Sequence, residues 1–321
     1  MLLLTYYFRQ VKIAQLLKGI KSGDRRSIAR AITWVENDQP GYETLLHSLQ
    51  FTRNTPVIGI TGPPGAGKST LINALIKLIC SKTNVEGHPN TVGVIAIDPS
   101  SPFTHGSLLG DRLRMQEHFT NPQVFIRSLA TRGALGGLSA KTLEICDVLR
   151  ASTFDYIFIE TVGVGQSEVE IIGLADTVVV TLVPEAGDEI QALKSGIMEI
   201  GDIFVVNKMD RAGSDLFAAG IIKTLHERPA HGDWVIPVLK TNASAYEGIE
   251  ELLESIHAHS KTANVNHRLS LIAERAYRLI QHGRMKDVNV KELKDQLKSV
   301  FEEKDFNLYR FLKNLFEDKP I

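Results

Sequence analysis

The nine residues Gly62-Pro63-Pro64-Gly65-Ala66-Gly67-Lys68-Ser69-Thr70 constrain this chain more than any other stretch. They follow the β-branched run Val57–Thr61 and open a helical pattern that continues through Leu71, Ile72 and Leu75. A GxxxxGK[ST] signature therefore sits between a strand and a helix, the context its chemistry requires. Glycines let backbone N–H groups approach phosphate oxygens, and the helix start adds partial positive charge. Lys68 is expected to reach the β- and γ-phosphates of a nucleotide, and the Ser69 hydroxyl to coordinate Mg²⁺.

The surrounding pattern agrees. Short apolar runs at 57–61, 92–97, 124–128, 156–160, 177–183, 203–207 and 235–239 alternate with helical stretches near 68–82, 107–118, 138–151, 188–198 and 214–227. Such alternation, with strands apolar on both sides, predicts a mostly parallel sheet covered by helices on both faces, the α/β fold of a P-loop NTPase. Before it, Val11, Leu16, Leu17 and Ile20 mark one helix. Ile28, Ala31, Ile32 and Val35 mark a second, entered through a turn and N-cap at Gly23-Asp24. After about residue 262 the strand signal stops and three apolar helical stripes follow, beginning with Leu269, Ile272, Ala276 and Leu279. The expected division is an N-terminal helical segment (1–50), a P-loop domain (51–262) and a C-terminal helical arm (263–321).

Asn207-Lys208-Met209-Asp210 closes the run 203–207. Guanine offers N1–H and N2–H₂ side by side, and adenine has neither. The Asp210 carboxylate can accept both, and would leave ATP with unmatched groups. Thr241-Asn242-Ala243, after the last strand, falls where a loop would pack against the base. The expected ligands are GTP and GDP with Mg²⁺. Three carboxylates stand where metal or attacking water would be handled: Asp98 and Glu160 at strand ends, and Asp111 in Leu109-Gly110-Asp111-Arg112. A helix N-cap or a surface ion pair is the competing role for each. Gly163 and Gly165, in Glu160-Thr161-Val162-Gly163-Val164-Gly165-Gln166, permit a loop that rearranges when the γ-phosphate leaves.

Taken together, the Walker A, the segments DPSSPFT, GD and RM, Thr131-Arg132-Gly133, ETVGVGQSE, NKMD and Gly23-Asp24-Arg25-Arg26 resemble the MeaB/ArgK-type GTPases. That family is related to the protein defective in methylmalonic aciduria type A. The resemblance runs from about residue 15 to at least 260. It implies a homodimeric, GTP-dependent chaperone of an adenosylcobalamin-dependent acyl-CoA mutase, above all methylmalonyl-CoA mutase, gating cofactor loading and protecting the enzyme. It implies that Lys68, Ser69, Asp98, Asp111 and Glu160 serve nucleotide, magnesium and catalysis. By the same resemblance, Gly163, Gly165 and Gln166, and the segment with Glu185, Gly187, Asp188 and Lys194, act as switches, and the helical arm dimerises. Gly187-Asp188-Glu189 and Lys194 read equally well as a solvated helix start. No glutamine stands out to orient water, so slow intrinsic hydrolysis is expected.

The 36 Lys and Arg against 37 Asp and Glu argue against a nucleic-acid partner. No run of apolar residues is long enough to cross a membrane. The start has no basic region ahead of its apolar run and no cleavage site, so a cytoplasmic protein is expected. Two alternatives share the P-loop class: a GTP-dependent nickel-enzyme maturation factor and an amino-acid-transport-linked kinase. The first needs Cys/His ligands, and only Cys80 and Cys146 are present. Nothing in the sequence marks an amino-acid pocket or phosphoacceptor for the second.

Overall fold

A computed structural model describes residues 2–98, 115–130, 140–161, 171–184, 197–227, 234–262, 265–285, 288–301 and 306–318. Seven strands form one parallel sheet: β1 (Val57–Thr61), β2 (Val92–Asp98), β3 (Val124–Ala130), β4 (Tyr156–Glu160), β5 (Thr177–Leu182), β6 (Ile203–Asn207) and β7 (Val238–Thr241). Their order is β3-β2-β4-β1-β5-β6-β7, and every pair is parallel. The eleven described α-helices are α1 (Leu2–Lys21), α2 (Arg25–Glu36), α3 (Tyr42–His47), α4 (Lys68–Cys80), α5 (Ala140–Arg150), α6 (Met198–Ile200), α7 (Ser214–His226), α8 (Ile249–Thr262), α9 (Val265–Met285), α10 (Val290–Lys298) and α11 (Leu308–Asp318). The α/β expectation holds.

Alternate residues of each strand point to opposite faces and feed two cores. On one face Val57, Ile157, Ile159, Val178 and Val180 pack with α1, α2, α3 and α5. On the other, Ile58, Ile60, Phe158, Val179 and Val205 pack with α4 and α8. With both faces covered, the central strands β1, β4, β5 and β6 carry no polar stripe, which is why they read as unbroken apolar runs. Within α1 the buried stripe is Ile13, Leu16 and Ile20, while Val11 faces outward. Asp24 caps α2 by accepting from the Ser27 amide at 2.9 Å and the Ser27 hydroxyl at 2.6 Å. Those hydrogen bonds favour the ionised carboxyl and hold its pKa below the ordinary range.

One segment differs from expectation. The last strand starts at Val238 instead of Val235, whose side chain is 81% exposed. Pro237 has no N–H for the ladder, and its carbonyl accepts from Phe204 N at 2.9 Å where pairing begins. Of the helical stretch expected near 107–118, residues 107–114 lie outside the described residues, and the remainder holds a 3-10 turn at Gln116–His118.

Close contacts divide the chain into two units, Met1–Leu271 and Ile272–Ile321. The first holds the sheet and α1 to α8. In the second, Asn289 caps α10 by accepting from Lys291 N at 2.8 Å, and the rings of Phe301 and Phe306 meet edge-on at 5.6 Å. Ile272, Tyr277, Ile280 and Tyr309 are exposed there. Among the described residues no helix is long and apolar enough to cross a membrane.

Candidate functional site

Because all seven strands run the same way, β1, β2, β4, β6 and β7 deliver their C-terminal residues to one edge, where open α/β sheets bind ligands. The loop Gly62–Gly67 leaves β1 at the middle of that edge. Gly62 has φ +134°, and a Cβ there would lie 2.0 Å from the Thr181 carbonyl oxygen. Gly67 has φ +88°, and its Cβ would lie 2.4 Å from the Asn207 amide nitrogen. Only glycine fits either place. Gly67 precedes α4 with no side-chain cap, which leaves the first-turn N–H groups pointing out of the helix end.

Lys68 is buried, and its ammonium donates to the carbonyls of Gly62 at 2.8 Å and Pro63 at 3.0 Å. The loop thus holds a positive charge at its own centre. Ser69, also buried, donates to Glu160 Oε1 at 2.6 Å. A hydroxyl and a carboxylate brought together beside a phosphate-type loop are hard oxygen donors, the set that suits Mg²⁺. Beside them Thr161 Oγ1 donates to Thr61 Oγ1 at 2.9 Å, tying the ends of β4 and β1. Sequence reasoning missed this pair, because a Thr at each strand end carries no pattern until the strands are known to be neighbours.

Asn207 connects the two halves of the edge. Its Nδ2 donates to the Ala66 carbonyl at 2.9 Å, inside the phosphate-type loop. Its Oδ1 accepts from Thr241 Oγ1 at 3.1 Å and from the Ala243 amide at 3.2 Å. Lys208 follows with φ +59°, in the left-handed region that L side chains seldom occupy. Met209 N donates to the Thr241 carbonyl at 3.0 Å. That turn leaves Asp210 exposed while Thr241 and Ala243 are buried. Asn207, read from the sequence as a nucleotide residue, here spends its described hydrogen bonds on positioning the two loops.

The structure therefore brings together the loop Gly62–Thr70, Glu160, Asn207–Asp210 and Thr241–Ala243. Pro64, Gly65 and Thr70 are exposed along it, and Ala66 is buried. Asn242 pairs its N–H with the Glu247 carbonyl at 3.1 Å and so closes the last loop. The backbone of Asp98 ends β2, two residues beyond the Ala96–Glu160 pairing. The side chain of Asp98 lies outside the described residues. So do Asp111, Gly163, Gly165, Gln166, Glu185, Gly187, Asp188 and Lys194.

The two cysteines lie apart from this chemistry. Cys146 is buried, and burial pushes the Cys80 thiol up to about 11. A thiol held protonated is a poor metal ligand.

The family described as Methylmalonyl Co-A mutase-associated GTPase MeaB matches residues 28–298. A Pyrococcus horikoshii protein carrying the name of a GTPase is 49% identical over 253 residues, 78% of each chain. The methylmalonic aciduria type A homolog of Caenorhabditis elegans is 33% identical over 309 residues, 90% of this chain and 74% of the relative. Among solved structures, a crystal structure of an LAO/AO transport system kinase aligns over 96% of this chain and 97% of its own, with TM-score 0.65 and 24% identity. That likeness shows the shared fold.

Proposed function

The chain belongs to the MeaB family of GTPases, and from that footing we propose that it binds and slowly hydrolyses GTP to gate cofactor loading in an adenosylcobalamin-dependent acyl-CoA mutase. Methylmalonyl-CoA mutase is the favoured client, since the family description names it. The observation that carries the reading is the Asn207–Ala66 hydrogen bond, which couples a guanine-type loop to a phosphate-type loop on one sheet edge.

In this reading the backbone N–H groups at the start of α4 and the Lys68 ammonium bind the phosphates. Lys68 exchanges its two carbonyl partners for phosphate oxygens that carry full negative charge. The Asp210 carboxylate accepts the two guanine donors, and the Thr241–Ala243 loop forms one wall for the base. Ser69 and Glu160, with Asp98 and Asp111 by family resemblance, would hold Mg²⁺, which supplies neutralisation of charge on the transferring phosphate. Gln166, Glu185, Gly187, Asp188 and Lys194 would report the state of the γ-phosphate to the client, with Gly163 and Gly165 as pivots. The arm 263–321 would join two copies, its exposed Tyr277, Ile280 and Tyr309 supplying apolar surface. The protonated Cys80 thiol weighs against the nickel alternative.

Affinity capture tests the chaperone role. The tagged protein, loaded with GDP or with a non-hydrolysable GTP analogue, is offered purified mutase from the same organism. Retention that depends on the nucleotide, and disappears in Lys68→Ala, supports the reading. Equal retention in every state, or none, contradicts it.

A further inference from the structure

Where the β1–β4 ladder ends, two hydroxyls meet in the interior. The register pairs Val57 with Ile157 and Ile58 with Phe158, and it runs on past β4, since Thr161 N donates to the Ile60 carbonyl at 3.2 Å. The Thr161 hydroxyl donates to that of Thr61 at 2.9 Å, and the two residues are 1% and 0% exposed. Replacing both partners of a buried hydrogen bond by apolar groups of the same shape is nearly neutral or stabilising, so stability alone does not call for hydroxyls here.

The neighbouring residues supply a reason. Side chains alternate along a strand, so Glu160 and Thr161 point to opposite faces of β4. Glu160 accepts from Ser69 at 2.6 Å on the face covered by α4, and the two threonines meet on the other face, behind it. Thr61 leads straight into Gly62, whose carbonyl accepts from Lys68. Thr161 is the last described residue ahead of Gly163 and Gly165. The end of β4 is thus joined to the phosphate-type loop in front and to the strand that opens that loop behind, by one side-chain hydrogen bond each. The bond in front consists of the two oxygens that a metal would engage. The bond behind faces away from them, and so can stay in place when they exchange each other for the ion.

We propose that Thr61 and Thr161 are positioning residues for Mg²⁺, their hydrogen bond fixing the end of β4 so that the Glu160 carboxylate stays opposite Ser69. The inference rests on the reading that Ser69 and Glu160 hold the ion, and extends it to two side chains that do not touch it. Groups that orient a metal ligand directly are worth about ten- to hundredfold in metal affinity. Acting from the adjacent residue through one neutral hydrogen bond, this pair is expected to be worth roughly five- to tenfold.

Calorimetry of a non-hydrolysable GTP analogue on the full chain, with Mg²⁺ and then with EDTA, gives the gain in affinity that the ion supplies. Thr161→Val keeps the shape and removes the donor. It is expected to cut that gain roughly five- to tenfold and to leave the affinity in EDTA within about twofold of the parent. Thr161→Ser restores the hydroxyl and should recover the gain. The double variant Thr61→Val with Thr161→Val strands no hydroxyl, so its urea stability should return to near that of the parent while its gain stays low. A pair with a purely structural role would instead move stability and both affinities together. The proposal is overturned if Thr161→Val keeps the parent gain, if Thr161→Ser behaves as the valine variant does, or if the double variant recovers the gain along with its stability. A parent with no Mg²⁺ gain, or a Glu160→Gln variant that keeps all of it, overturns the proposal together with the metal reading beneath it.

Discussion

Replacing Asn207 by alanine should loosen both halves of the nucleotide edge at once. The side chain is 3% exposed and makes three hydrogen bonds, to the Ala66 carbonyl, the Thr241 hydroxyl and the Ala243 amide. Each is worth about 1 kcal/mol net, and the three stranded partners keep part of their desolvation cost, so the loss comes to roughly 2–4 kcal/mol. For a compact unit of this size, 3 kcal/mol lowers the melting temperature by about 6–12 °C. Asn207→Asp separates the components, because it keeps the acceptor for Thr241 and Ala243 but turns an anionic oxygen toward the Ala66 carbonyl. It should therefore be at least as destabilising as the alanine variant, despite its near-identical shape. Urea denaturation monitored by circular dichroism gives the stability, and GDP calorimetry gives the affinity, which falls in both variants. A loss under about 1 kcal/mol with unchanged GDP affinity would refute the coupling of the two loops.

Four further outcomes are expected. Ser69→Ala removes the described donor to the Glu160 carboxylate; it should cost about 1–3 kcal/mol by denaturation and abolish measurable phosphate release, and parent-like turnover would contradict the role given to Ser69. Asp210→Asn is expected to weaken GTP by about 1.5–3 kcal/mol, roughly ten- to hundredfold by calorimetry, with the melting temperature unchanged because Asp210 is exposed. Burial lowers His118 and His257 from their ordinary 6.5, so below pH 6.5 the unfolded chain takes up protons that the folded chain resists. Stability is then full above pH 6.5 and declines as pH falls toward the folded values, a slope that a double substitution to Gln should flatten in denaturation curves. A chain ending at Thr262 should retain GTP binding yet run as a monomer in light scattering; a dimer would remove the arm from the interface.

Much of this was legible because certain residues announce their geometry. Gly62 and Gly67 have sequence signatures for the same reason they have tight neighbours, since only a residue without Cβ fits there. The central strands read cleanly because burial on both faces removes any polar stripe. Val235 misled because a β-branched residue resembles a strand whether or not the ladder reaches it, and Pro237 decides where the ladder starts. Asn207 was recognisable as a site residue, but its part as a tie was not, since the Ala66 carbonyl is 141 residues away in sequence. The same applies to Thr61 with Thr161. Spacing reveals local geometry, whereas these contacts depend on strand order.

The most direct measurement is GTP turnover by the purified full chain, alone and with methylmalonyl-CoA mutase from the same organism. Slow release of phosphate is expected from the protein alone, with a clear rise when the mutase is added and none in Lys68→Ala. Turnover that stays unchanged across mutase concentrations that saturate binding would contradict the coupling of GTP hydrolysis to this client.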